Sequence, residues 1–174
     1  MLVLIIGPGG VGKDTIVNEM VKRYNYNKSV SYTTRKPRPS EKDGIDYHFI
    51  TRDEFNRMIE KDMFLEYAEF NGNYYGTPSN YDDNKINLLI VDVQGGLSLR
   101  KKYACVSIFI KPPNIKELRN RLVKRGTDSE KEINRRMKLA FDEILNMDKF
   151  DFIVENDDLD KAINDVNNII NFQR

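Results

Sequence analysis

The run Gly7-Pro8-Gly9-Gly10-Val11-Gly12-Lys13, directly behind the apolar segment Leu2 to Ile6, constrains this chain more than any other stretch. A short buried strand has to run into a glycine-rich turn, and a helix has to open at its far end. Glycines accept the positive-φ conformations that turn amides inward, and without side chains they let phosphate oxygens come close. The helix adds unpaired N–H groups and a positive dipole end, and Lys13 adds a mobile charge. The spacing Gly7-x-x-x-x-Gly12-Lys13 is that of a phosphate-binding loop, except that Asp14, followed by Thr15, stands where Ser or Thr is usual. Strand, spacing and lysine together favour a nucleoside triphosphate site over an ordinary glycine-rich turn.

Behind the loop, Ile16, Val17, Met20, Val21 and Tyr24 recur at helical spacing and predict a helix over 14–24. Ser29 to Thr34 reads as a strand, and the prolines of Arg35-Lys36-Pro37-Arg38-Pro39 predict an extended loop. Gly44 to Ile50 reads as a strand reached through a turn. Phe64 to Phe70 is extended, followed by a turn at Asn71-Gly72-Asn73 and the pair Tyr74-Tyr75. Thr51-x-x-Glu54, Asn114-x-x-Glu117 and Ser129-x-x-Glu132 are capping boxes that each start a helix. Leu88 to Val91, Ala104 to Ile110 and Phe152 to Val154 are further buried strands, and Leu159, Ile163, Val166 and Ile170 mark a last amphipathic helix. Strands buried on both faces and alternating with helices predict a doubly wound, three-layer α/β core with a parallel sheet. The segment from Arg35 to Tyr81 interrupts that alternation with shorter, more aromatic elements and reads as an insertion that binds substrate. A ligand belongs at the carboxyl ends of the core strands, where the loop and Asp92 both fall.

A chain of 174 residues is the size of one domain with a substantial core. Its net charge of +1 gives no global pull toward nucleic acid or an anionic membrane, so anion recognition has to be local. The single cysteine, Cys105, excludes an intrachain disulfide, suits a reducing, cytoplasmic setting and reads as a small core residue. No apolar run is long enough to span a bilayer, and Leu2 to Ile6 is too short for a signal peptide. His48, the only histidine, has no nearby His or Cys and reads as structural; Lys22-Arg23 and Arg100-Lys101-Lys102 read as solvated helix faces.

The loop, together with Ser31-Tyr32-Thr33-Thr34-Arg35-Lys36-Pro37-Arg38 and Gly44-Ile45-Asp46-Tyr47-His48-Phe49, closely resembles the guanylate kinase family of P-loop nucleoside monophosphate kinases. Glu66-Tyr67-Ala68-Glu69-Phe70, Gly72-Asn73-Tyr74-Tyr75-Gly76-Thr77, Asp92-Val93-Gln94-Gly95 and Asn156-Asp157-Asp158-Leu159-Asp160 carry the same resemblance, in order, to the last helix. It implies transfer of the γ-phosphoryl of ATP to GMP (and dGMP), with Mg²⁺ and a closing lid, by a monomer or homodimer that binds neither nucleic acid nor membrane. It divides the single domain, 1–174, into a core (1–30, 86–120 and 148–174), a GMP-binding insertion of mixed α+β structure (31–85) and a helical lid (121–147). Gly7, Pro8, Gly9, Gly10, Val11, Gly12, Lys13, Asp14 and Thr15 would hold ATP, with Arg125 and Asn156 near its adenine.

The chemistry fits those assignments. A dianionic phosphate has to approach another polyanion, so charge repulsion is the main obstacle and catalysis rests on positioning and electrostatic stabilisation. Guanidinium forks match phosphate geometry and Tyr hydroxyls can donate beside them. The resemblance assigns Arg35, Arg38, Tyr47 and Tyr75 to the GMP phosphate, with Ser31 nearby. Guanine presents N1–H and N2–H₂ donors beside an O6 acceptor. Glu66 and Thr77 match the positions that read them, and Asp92 matches one near the GMP. Arg121, Arg125 and Arg136 belong to the lid by resemblance, and Lys13, Arg35, Arg121 and Arg136 would carry the catalytic charge. Tyr74 reads as packing.

Two departures concern the metal. Asp14 follows the loop lysine, and Ile90 replaces the first of two carboxylates that alternate along the family's second strand, leaving Asp92. Asp14 would then supply, directly or through water, the negative charge lost at Ile90; alternatively it serves the helix start only. Two other functions stay open beside the kinase: a related small-molecule kinase with another acceptor, and a catalytically silent interaction module of the same fold.

Overall fold

The computed structural model of this chain describes residues 1–70 and 72–174. In chain order, β1 (Leu2–Ile6), α1 (Lys13–Tyr24) and β2 (Asn27–Ser29) open the core. β3 (Tyr32–Thr33), β4 (His48–Phe49), α2 (Arg52–Glu60), β5 (Phe64–Phe70) and β6 (Asn73–Pro78) follow. The chain then resumes with β7 (Asn87–Val91), α3 (Val93–Lys102), β8 (Cys105–Lys111), α4 (Ile115–Arg125), α5 (Glu130–Ile144), β9 (Phe152–Glu155) and α6 (Leu159–Phe172).

Five strands make a parallel sheet in the order β2-β7-β1-β8-β9. β1 is central, paired on both edges, and every one of its residues is buried. Its pleat alternates between two cores: Val3 and Ile5 face α1, α4, α5 and α6, whereas Leu2, Leu4 and Ile6 face α3 and the Phe109–Phe150 stack. This is why the segment is apolar without interruption. The order of the strands reverses beside β1, so the crevice at its carboxyl end lies where the glycine loop and Asp92 emerge. The fold is thus the α/β P-loop architecture expected from the sequence.

A second sheet, β4-β3-β6-β5, is mixed: β3 and β4 are parallel, and β6 is antiparallel to both its neighbours. It has its own small aromatic core, because Phe55 of α2 is fully buried and stacks on Phe64 at 4.6 Å and Tyr74 at 5.3 Å. Leu65 joins it to the α3 side of the main core. His48 stacks on Tyr32 at 4.5 Å, a packing role.

The structure corrects several local expectations. The strand expected over 29–34 is two short strands in different sheets: Lys28 and Ser29 pair with β7, and the chain crosses at Val30 and Ser31 before Tyr32 pairs with β6. Most of 44–50 is a turn, in which Gly44 at φ 74° donates to the Tyr47 carbonyl, and only His48–Phe49 is strand. Asn71, in the turn expected there, lies outside the described residues. Thr51 and Glu54 form the reciprocal capping box. Asn114 and Ser129 also cap their helices, while Glu117 and Glu132 have their carboxylates on Arg121 and Arg135. Arg100 is no solvated face: it pairs with Asp151 at 2.5 Å and lies against the Phe150 ring. Cys105 is only partly buried, at the margin of the α3-side core.

Candidate active site

The loop from Gly7 to Gly12 wraps the start of α1, with Val11 anchored in the core. Gly7 has φ 146°, and a side chain there would run into the Ile110 carbonyl; Gly12, at φ 100°, faces the Asn156 amide 2.6 Å from where a Cβ would sit. Asn156 is buried and donates from Nδ2 to the Val11 carbonyl at 2.8 Å. Arg121 donates to the Asn156 carbonyl at 2.9 Å and reaches the Val11 carbonyl at 3.4 Å, with Glu117 on its Nε at 3.0 Å. Loop, α4 and the turn before α6 are therefore tied together by backbone carbonyls.

Lys13 curls back onto the loop, its Nζ donating to the Gly7 carbonyl at 2.5 Å and the Pro8 carbonyl at 3.1 Å. Burial pushes its ammonium below the ordinary range, opposed by the charges of Glu143, Asp14 and Asp92. Glu143 was not singled out by the sequence. Burial pushes its carboxyl up to about 7, Lys13 pulls it back, and Asp92 adds to the rise. Its position on a mixed helix, between Asp142 and Ile144, gives no signal of that setting.

On the second sheet, Arg35 and Arg38 converge on one carboxylate. Arg35 meets Glu41 with both terminal nitrogens, each at 2.9 Å, and its guanidinium lies 5.6 Å from the Tyr47 ring centre. Arg38 donates its backbone amide to Glu41 at 2.7 Å and a guanidinium nitrogen at 3.4 Å. Tyr75 is among the neighbours that act on the Arg35 charge, and it meets Tyr47 edge-on, with ring centres 6.1 Å apart. Burial, and then Asp14, push the Tyr47 phenol up to about 12, so it is a donor throughout the physiological range. Ser31 lines a small cleft with Asp14, Lys28, Tyr47 and Ile90.

Glu66 and Thr77 face each other across β5 and β6, Thr77 donating to Glu66 Oε1 at 3.1 Å. Burial raises the Glu66 carboxyl above its usual range, the Thr77 bond lowers it, and Asp92 adds to the rise. Asp92 caps α3, its Oδ1 accepting the Gly95 amide at 2.7 Å. Gly95 separates the carboxylates: a Cβ there would lie 3.2 Å from both Asp92 Oδ1 and Glu66 Oε1.

Arg136, on α5, reaches over Gly9 and pairs with Asp128 at 3.2 Å. Burial lowers its guanidinium's pKa, and the charge of Arg38 is among those that lower it further. Arg125 is exposed at the end of α4, its charge felt by Arg136. Thr15 is exposed on α1. Glu41 and Asp128 escaped sequence reading because both look like solvated loop acids; the one visible signal is the Arg38-x-x-Glu41 spacing of a turn.

Among the described residues, no group of three His, Cys, Asp or Glu side chains converges. Asp14 is 62% exposed, 3.9 Å from Lys28, and shares its cleft with Ile90. One carboxylate suffices for Mg²⁺ that arrives on phosphates and keeps several waters, so the residues fit that ion.

Comparison with known proteins agrees with this arrangement. The guanylate kinase family model matches residues 1–173. The guanylate kinases of Halalkalibacterium halodurans and Latilactobacillus sakei are 45% and 44% identical to this chain, each over 98% of it, and the match covers 87% and 88% of their own lengths. The crystal structure of guanylate kinase from Anaplasma phagocytophilum superposes with a TM-score of 0.80 at 34% identity, covering 99% of this chain and 85% of that one. A match that runs from the first strand through the last helix means that this chain belongs to the guanylate kinase family.

Proposed function

We propose that this chain transfers the γ-phosphoryl group of ATP to GMP, and to dGMP in the same pocket, giving ADP and GDP or dGDP. The observation that carries the reading is the hydrogen-bonded Glu66–Thr77 pair, set beside Asp92 and joined by one sheet to Arg35, Tyr47 and Tyr75. Glu66 accepts from guanine N1–H and N2–H₂ while Thr77 turns its hydroxyl to O6. Adenine, lacking those donors, would leave the buried acceptor unpaired and is rejected.

In the step itself, an anionic oxygen of the GMP phosphate attacks the γ-phosphorus, the bond to the β-bridging oxygen breaks, and ADP leaves with that electron pair. No general base is needed, since the attacking oxygen carries no proton. Arg35, Arg38, Tyr47 and Tyr75 hold the acceptor phosphate, with Ser31 at its edge. The amides of Gly7 to Gly12 and the Lys13 ammonium hold the donor phosphates. Arg121 and Arg136 stabilise charge on the transferring group, and Arg125 and Asn156 border the adenine. Mg²⁺, when bound with ATP, would neutralise charge on the phosphate oxygens, and Asp14 would hold it, directly or through water, in place of the carboxylate that Ile90 lacks. Residues 31–85 then act as the acceptor-binding insertion, 121–147 as the lid and the rest as the core of one domain. With a net charge of +1, a single cysteine and no described helix long and apolar enough to cross a membrane, we assign it to the cytoplasm, as a monomer or homodimer acting on small molecules.

The test is ADP release from ATP with GMP, dGMP, AMP, CMP or UMP, with Mg²⁺ and with a chelator. Turnover confined to guanine nucleotides and lost on chelation is expected. A folded protein that binds ATP but phosphorylates no monophosphate would sink the proposal, and preference for another acceptor would replace it. Swapping Asp14→Ser with no change in Mg²⁺ dependence removes Asp14 from the metal's surroundings.

A further inference from the structure

Two guanidinium groups held side by side repel each other, and a phosphate can meet them as a preformed pair only if something opposes that repulsion. Here the opposing group belongs to the same loop. The Glu41 amide donates to the Arg38 carbonyl at 3.0 Å, closing a tight turn, and the side chain folds back over it. Oε1 then receives Arg35 at 2.9 Å and Arg38 at 3.4 Å; Oε2 receives Arg35 at 2.9 Å and the Arg38 amide at 2.7 Å. A carboxylate has about four acceptor sites, so Glu41 is saturated. Its side chain is 10% exposed, less than Arg35 at 17% or Arg38 at 26%.

We infer that Glu41 is a positioning residue of the monophosphate site, whose carboxylate sets the spacing and facing of Arg35 and Arg38. An ionised carboxylate can only accept hydrogen bonds, so it has nothing to offer a phosphate dianion and acts through the arginines. Burial alone would raise its pKa, but Arg35 and Arg38 together hold it below the usual carboxylate range, so the charge persists at working pH. The opposite arrangement, a carboxylate that occupies the grip until phosphate displaces it, is disfavoured by the bond to the Arg38 amide. That bond fixes Oε2 to the backbone of its own turn whatever the guanidinium groups do. The inference rests on Arg35 and Arg38 gripping the GMP phosphate.

The experiment is steady-state kinetics and GMP binding for wild type, Glu41→Gln and Glu41→Asp. In Glu41→Gln the amide turns donors toward a guanidinium; KM for GMP should rise roughly 10–100-fold, the scale of one lost charge-assisted contact. kcat should stay within about threefold and KM for ATP within about twofold, the pattern of lost substrate binding. Inhibition by guanosine, which has no phosphate, should be unchanged; a loosened insertion would weaken guanosine and GMP alike and overturn the inference. In an Arg35→Ala, Arg38→Ala background, Glu41→Gln should have no further effect on GMP affinity, and a full additive effect would show that Glu41 does not act through them. If Glu41→Gln does not fold, Glu41→Asp keeps the charge one methylene shorter and should raise KM for GMP several-fold. An unchanged or lowered KM for GMP in the folded variant overturns the inference. Failure of the wild type to phosphorylate GMP would instead refute the functional reading on which it rests.

Discussion

Two arginine groups border this site, and each is balanced by an acid of its own segment, but the two pairings differ in quality. Arg35 and Glu41 meet fork to fork with every acceptor site used. Arg136 and Asp128 lie 3.2 Å apart, yet Arg136 Nε and Asp128 Oδ2 are buried with no well-directed hydrogen-bond partner among the described residues. Distance without direction leaves most of a hydrogen bond unmade, and each such buried group costs about 1–3 kcal/mol. On the reading proposed above, the acceptor side would be a finished anion grip, while Arg136 would sit in a contact that a phosphoryl group can better. Preorganisation belongs where substrate binds first, and an unsatisfied donor belongs where charge develops later.

The contrast can be broken most forcefully at Arg136. Arg136→Ala should lower kcat on the order of 10²–10³-fold with KM for GMP little changed, if Arg136 meets charge that develops in the transition state as proposed. Arg38→Ala should do the reverse, raising KM for GMP about tenfold or more with a smaller effect on kcat, as measured in the same coupled assay. Next comes the base pocket: Thr77→Val removes one neutral hydrogen bond and should raise KM for GMP about 2–12-fold, with dGMP affected equally. At the lid, Asp128→Asn should leave the melting temperature within about 3 °C of wild type, because it removes a misdirected partner. Should it destabilise the protein as strongly as a lost well-formed pair would, the contrast drawn above fails.

The pH dependence of stability is a slope. Glu143 binds its proton up to about pH 7 in the folded chain but releases it near 4.5 when unfolded. Between those values the folded form holds the extra proton, so stability falls as pH rises through that window, by about 1.4 kcal/mol per pH unit at the steepest. Glu143→Gln should remove this part of the slope in urea titrations at pH 5, 6 and 7.

Much of this could be read from residues in order. Leu2–Ile6 and the glycine spacing announce themselves because backbone geometry demands them locally, and the caps at Thr51, Asn114 and Ser129 are local for the same reason. What stayed hidden is tertiary. Ser29 and Tyr32 are both extended, so nothing in the string shows that the chain changes sheets between them. Glu41 and Asp128 lie among polar neighbours and Glu143 on a mixed helix beside Asp142, so each looks like any solvated acid. Only the arrangement in space shows that Glu41 and Asp128 each hold an arginine and that Glu143 lies near the loop lysine. Arg100 was misread for the same reason, since its partner Asp151 is far along the chain.

Gly95 sets a conflict between two uses of the same position. In the first turns of α3 a glycine weakens the helix by about 1 kcal/mol relative to alanine, so any effort to harden this protein by helix propensity would choose Gly95→Ala early. The methyl group would stand 3.2 Å from an oxygen of Glu66 and from one of Asp92. That is tighter than ordinary contact, and it would press on the Glu66 carboxylate proposed to meet the guanine edge. Position 95 therefore acts as a gauge of pocket width, and a variant that melts later there should bind guanine nucleotides less well.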